Sequence, residues 1–160
     1  MRKSDRIAEF VQGLDPGSAC GLDPYLAGYF QCFNEGRYYE AHDVLEDLWL
    51  RQGKAHSDHA FLKGLIQLAG GFVHLRLQYL NPDHPKHGRR LAPAGRLLLL
   101  AAENLRPYPP RHRWVDVAGA IHLAEETALV IGEMDPRKNP WSPSMMPRLT
   151  PSSATDQERR

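Results

Sequence analysis

Only two cysteines, Cys20 and Cys32, occur in the 160 residues. That is too few for a disulfide framework or a thiolate zinc site, so both are expected to be free thiols in a reducing compartment. No apolar run approaches the ~20 residues that a membrane span needs. The stretch from Met1 to Arg6, leading into Ile7-Ala8-Glu9-Phe10-Val11, is too short and too polar for a signal peptide. A cytoplasmic location is therefore expected, with no membrane partner. Neither sign of charge dominates, since the formal net charge is +1, and this argues against nucleic acid as a partner. There is no Gly-rich phosphate loop, zincin helix, nucleophile elbow or cysteine zinc knuckle, which removes several common enzyme classes by motif. Sustained period-two alternation and hairpin dipeptides are missing as well, and no sequence repeat is evident.

What is present is helical periodicity, in a chain long enough for one domain with a single core. A short amphipathic piece (Ile7, Phe10, Val11, Leu14) and a Gly- and Pro-containing linker occupy residues 1–21. Asp23-Pro24 supplies an N-cap and a first-turn proline for a helix running to Asn34, with Gly36 placed to cap its end. A second helix spans about Tyr38 to Arg51 and stops at Gly53. A third runs from near Asp58 to Leu80, with Phe61, Leu65, Ile66, Ala69, Phe72, Val73 and Leu77 on a broad apolar face. Beside that face lies a polar strip of Lys63, Gln67, Gly70, His74 and Gln78. Gly70-Gly71 inside a helix costs about 1 kcal/mol per residue relative to alanine, a cost usually tied to close approach of a backbone or a ligand.

Residues 81–88 form a breaker-rich loop. Leu91–Leu105 and about Trp114–Gly132 are two further helices, and Leu97-Leu98-Leu99-Leu100 implies burial on more than one side. From residue 134 onward, prolines alternate with Ser, Thr and charge, which predicts an extended or disordered tail. The expected fold is therefore all-α: a multihelical bundle of about five helices over residues 22–133 with a proline-rich C-terminal tail. Trp141, Met145 and Met146 in the tail favour docking, on this chain before any foreign partner, and homo-oligomerisation through the tail stays open.

The helix from Tyr38 carries the chemistry. Tyr38, Ala41, Leu45, Leu48 and Trp49 share one side at ~100° per residue, and His42 and Glu46 lie one turn apart on the flank of that stripe. Spacing alone is weak evidence, because His122 and Glu126 repeat it. The wider pattern is more specific: Phe33-Asn34-x-Gly36-x-Tyr38-Tyr39-Glu40-Ala41-His42-x-x-x-Glu46-x-x-Trp49, then Gly64-Leu65-Ile66-Gln67-Leu68-Ala69 and His74. It resembles the helical family called domain of unknown function 309, whose hallmark is His-x-x-x-Glu-x-x-Trp on a helix. The resemblance covers about residues 24–105 and implies an all-helical fold and a suggested metal-binding role. Where the family commonly has Glu after the histidine, this chain has Asp43.

Two readings of these residues stand side by side. In the first, His42, Glu46 and His74 hold a divalent metal such as zinc, or His42 and Glu46 act as catalytic acid–base groups, in a centre that would be hydrolytic and act on a small molecule. Gln67 and Tyr39 would orient a water, and Trp49 and Lys63 would border the site. In the second, the protein is a non-catalytic interaction or regulatory bundle. The same side chains then form a buried polar network that fixes packing, Trp49 anchors the core and Lys63 snorkels outward. The basic residues Lys86, Arg89, Arg90 and Arg96, with Arg106, Arg111 and Arg113, suggest a phosphate-rich ligand if they gather. Loops of antiparallel helices alternate between ends, however, so the two groups need not meet.

Overall fold

The computed structural model describes residues 2–14, 21–133 and 138–152. Among them are six α-helices: α1 (Lys3–Gln12), α2 (Pro24–Asn34), α3 (Tyr38–Gln52), α4 (His59–Leu80), α5 (Leu91–Leu105) and α6 (Val117–Glu133). The fold is an all-α multihelical bundle in which each helix packs on the next. Local chemistry explains the boundaries. The Asp23 carboxylate accepts from the Tyr25 amide at 2.8 Å, with Pro24 in the first turn, a standard N-terminal arrangement. Gly36, at φ +78°, ends α2. The Arg37 amide donates to the Cys32 carbonyl and the Gly36 amide to the Phe33 carbonyl, the paired bonds of a Schellman motif.

The long helix α4 is the spine, packed between α3 and α5. Its Gly64 and Gly71 lie two turns apart. A Cβ on Gly71 would stand 2.6 Å from Leu98, and one on Gly64 would stand 2.7 Å from Leu105 and 3.1 Å from the Ala101 carbonyl. The glycines therefore let α5 approach the α4 backbone closely. Leu98 is fully buried in that seam, but Leu99 and Leu100 are exposed. The leucine run thus faces the core on one side only, because nothing described covers the outer face of α5. The central core joins Leu26, Tyr29, Phe33, Tyr38, Leu45, Phe61, Leu65 and Phe72 from α2, α3 and α4. Cys32 is buried there, and burial pushes its thiol up to about 11. Cys20 lies outside the described residues.

The region before α6 departs from the helical expectation. Arg111–His112 (β1) and Val115–Asp116 (β2) pair antiparallel around the two-residue turn Arg113-Trp114. Both turn residues have positive φ, 48° and 64°, the requirement of a type I′ hairpin that Asn-Gly ordinarily meets. Side-chain anchors hold this strained pair instead. Arg113 bonds Asp58 at 3.0 Å and Asp23 at 3.4 Å, and the Trp114 indole lies over Gly21, leaving no room for a Cβ there.

Residues 138–152 cross the bundle as a strap. Asn139 donates to the Leu75 carbonyl and to Gln78. Trp141 is buried, and its indole N–H donates to the Tyr38 hydroxyl at 2.9 Å. The Asn34 side-chain amide pairs with both backbone groups of Leu149, each at 2.8 Å. Pro151 bridges Val115, extending the small sheet. Met145 is exposed.

Candidate functional site

The helical period of α3 points Tyr38 inward and Tyr39 outward: Tyr38 is 1% exposed and Tyr39 66%. His42 and Glu46 follow on the rim between these faces, with side chains 32% and 34% exposed. Their expected inward placement is thus only partial. His42 Nε2 stands 3.7 Å from Glu46 Oε2, an ion-pair distance beyond hydrogen-bond reach. His42 Nδ1 is 3.1 Å from Asp43 Oδ1.

A cation from another element already faces these acids. Lys3, at the start of α1, places its ammonium 3.0 Å from Asp43 and 3.4 Å from Glu46. Burial would lower the Lys3 pKa. The hydrogen bond and charge of Asp43, joined by those of Glu46, outweigh it and raise the amine above its usual range. The α1 helix reaches α3 through Ile7 and Val11, which pack on Val44.

Across from His42, α4 presents Gln67, Gly70 and His74. These residues, with Tyr39, Ile66, Val73, Leu77, Arg90 and Leu97, line an open groove of about 400 Å³. His42 and His74 therefore border one groove. His74 is engaged, however: Arg90, just before α5, brings Nη1 to 2.8 Å from His74 Nδ1. A guanidinium can only donate, so His74 Nδ1 accepts and the ring's own proton sits on Nε2. Burial and then the Arg90 charge lower the His74 pKa, favouring that neutral form. A ring that ligated a metal through Nε2 would carry its proton on Nδ1 and face a donor with a donor. Metal-binding imidazoles normally give that second N–H to an acceptor. Among the described residues, no group of three His, Cys, Asp or Glu side chains stands where it could hold a metal ion.

The remaining candidates divide. Gln67 lines the groove, and its carbonyl accepts from Asn104 at 2.7 Å. Tyr39 forms the rim, its ring 6.3 Å from that of His42. Trp49 does not line the groove; its indole donates to the His59 carbonyl and its ring stacks on His59, tying α3 to the start of α4. Lys63 is exposed and likewise outside the groove. The groove thus gathers Tyr39, His42, Gln67 and His74, and leaves Glu46, Trp49 and Lys63 off its lining. The basic residues do not form one patch: Arg113 binds Asp58 and Asp23, and Arg106 binds Glu125.

Of two residues that matter here, Lys3 carried no site signal and Arg90 stood out only as one of a scattered basic set, because each reaches the site from a different element. A buried triad was missed for the same reason. Asp58, 7% exposed, takes His112 Nε2 at 2.8 Å and Arg113 at 3.0 Å.

Residues 26–82 match the family model described as domain of unknown function (DUF309). The chain carries a DUF309 domain. The match runs from α2 to just beyond α4, so it contains the His42–Glu46–Trp49 helix and the α4 wall of the groove. Lys3, Arg90 and the strap lie outside it. Asn34, Tyr38 and Gln78 inside it hold the strap by side-chain hydrogen bonds: Asn34 exchanges two with the Leu149 backbone, and Tyr38 and Gln78 accept from Trp141 and Asn139. No curated protein and no solved structure matches the chain. Among the described residues, no helix is long and apolar enough to cross a membrane.

Proposed function

We propose that the DUF309 domain of this protein is a non-catalytic binding module whose site is the groove between α3, α4 and the entry to α5. The observation that carries this reading is the groove's make-up. Ile66, Val73, Leu77 and Leu97 form an apolar floor, and His42, Gln67, His74 and Tyr39 stand around it, the usual composition of a small-molecule site. Two of the three candidate ligands have other partners: His74 Nδ1 accepts from Arg90, and Glu46 faces the Lys3 ammonium.

A divalent-metal or His/Glu hydrolytic centre is the second reading, favoured by one contact. With its proton on Nδ1, His42 donates to Asp43 and turns the lone pair of Nε2 toward Glu46. That is the form in which an imidazole ligates a metal or takes a proton.

Elemental analysis of untagged protein purified without added metal, beside the His42→Ala variant, separates the two. The binding-module reading expects near-zero zinc, manganese and iron in both. About one equivalent of metal in the parent, lost in His42→Ala, would overturn it and install the metal centre.

A further inference from the structure

Among the described residues, the groove holds a cation with no carboxylate beside it, and its surroundings point to the chemistry that would supply a counter-charge. Arg90 is half-buried at the groove's edge, and two imidazoles fix its side chain. Its Nε–H donates to His87 Nδ1 at 2.8 Å and an Nη1–H donates to His74 Nδ1 at 2.8 Å. Both acceptors must offer lone pairs, so each ring carries its proton on Nε2. Both histidines have lowered pKa values, His74 through burial and then Arg90, and His87 through burial, then Arg90, His84 and Lys86. The acceptors are thus neutral at pH 7 and leave the guanidinium charge uncompensated.

Among the described residues, no carboxylate lies within ion-pair distance of Arg90. Arg51, Arg106 and Arg113 each have one, from Asp47, Glu125 and Asp58. Two of the five guanidinium N–H groups are used, and three remain. They sit on Nη1 and Nη2, the edge that pairs with a planar oxyanion in the two-point manner that lysine cannot reproduce. Beside them, the His74 ring keeps its Nε2–H as a further donor in the groove lining. A guanidinium pinned at two points has already lost the freedom that binding would otherwise remove.

We propose that Arg90, clamped by His74 and His87, is the anion-recognition residue of this groove. It receives the carboxylate or phosphate head of a small organic anion whose apolar body lies over Ile66, Val73, Leu77 and Leu97. This rests on the groove being a ligand site and names the class of ligand. The shared chemistry is a resonance-stabilised oxyanion on an apolar carrier. The apolar floor of Ile66, Val73, Leu77 and Leu97 selects such a molecule over a bare ion.

The test titrates the full chain with benzoate, phenyl phosphate and inorganic phosphate, and with benzyl alcohol as the uncharged counterpart. Amide shifts of Gln67, Gly70 and His74 are followed by NMR for the parent, Arg90→Gln and Arg90→Lys, each first checked for native helicity. The expected result is saturable shifts with benzoate or phenyl phosphate, affinity at least tenfold weaker in Arg90→Gln, and partial recovery in Arg90→Lys. Benzyl alcohol should be insensitive to either substitution. Tighter binding of phenyl phosphate than of benzoate assigns a phosphomonoester head, and the reverse order a carboxylic acid. Inorganic phosphate binding as tightly as phenyl phosphate would overturn the role of the apolar floor. If benzyl alcohol binds as well as the anions, or Arg90→Gln leaves anion affinity unchanged, the Arg90 assignment fails while the groove remains a ligand site. If no probe moves a groove amide, both fall.

Discussion

A carboxylate that is 7% exposed needs cations or donors beside it, and Asp58 has both His112 and Arg113. Arg113 is the costlier partner to lose, because its side chain also bridges to Asp23 at the start of α2. The Arg113→Ala variant should therefore be destabilised by roughly 2–3 kcal/mol, less than a fully buried pair because the arginine is itself a quarter exposed. Urea denaturation measures it, and a change within 0.5 kcal/mol, the usual scale of a surface substitution, would show that the triad is only decorative. His74 gives a pH dependence whose sign follows from its lowered pKa. Below about 6.5 the unfolded imidazole binds a proton that the folded one resists. Stability from this group is thus fully present above that pH and is lost as the pH falls from there. His74→Gln, which can still accept from Arg90, should flatten the stability profile between pH 7 and 5. An unchanged slope would mean that the His74 imidazole does not contribute to the pH dependence of stability.

At the scale of the helices, the same substitution should have opposite effects at two helix contacts, α4 against α5 and α5 against α6. Gly71→Ala puts a methyl 2.6 Å from Leu98 in the α4–α5 seam. Overpacking of about 1–3 kcal/mol should exceed the ~1 kcal/mol gained in helix propensity. Gly95→Ala, on α5, meets only Ile131 at 3.6 Å, ordinary contact, and should stabilise by up to about 1 kcal/mol. Thermal melts of the two variants moving in the same direction would contradict the seam geometry. The helices themselves were legible in the residues. Period 3.6, Asp23-Pro24 and Gly36 act within a few residues of chain, and the structure places α2 to α5 close to where they point. The Arg111–Asp116 hairpin was not legible, since Arg113-Trp114 has none of the usual φ > 0 residues. Its turn is held by Asp23 and Asp58, far away in sequence. Exposure of Leu99 and Leu100 was hidden likewise, since an apolar run says nothing of how many neighbours arrive to cover it.

For the molecule as a whole, the legible part of the candidate site is what a single helix or an adjacent pair can encode. His42 and Glu46 one turn apart, and His74 opposite them, are consequences of two helical periods. The Lys3 and Arg90 contacts depend on how α1 and α5 dock, and they change the chemistry of the same three residues. The strap carries this dependence furthest. Its partners Asn34 and Leu149 are 115 residues apart, and Tyr38 and Trp141 are 103 apart. Trp141 contacts Tyr38 and Tyr79 edge-on, so it closes the side of the bundle on which α3 begins. Trp141→Ala should cost roughly 3–5 kcal/mol, as for other buried tryptophans. Trp141→Phe should recover most of the packing while losing the bond to the Tyr38 hydroxyl, a net loss of about 1 kcal/mol beyond the smaller ring. A chain ending at residue 137 uncovers Tyr38 and Phe72 together, an apolar surface that favours self-association. Sedimentation should then show concentration-dependent mass for the truncated chain, while Trp141→Phe sediments like the parent. If the truncated chain sediments as the parent does and melts at the same temperature, the strap is not part of the fold's stability and its contacts with Asn34 and Tyr38 are incidental.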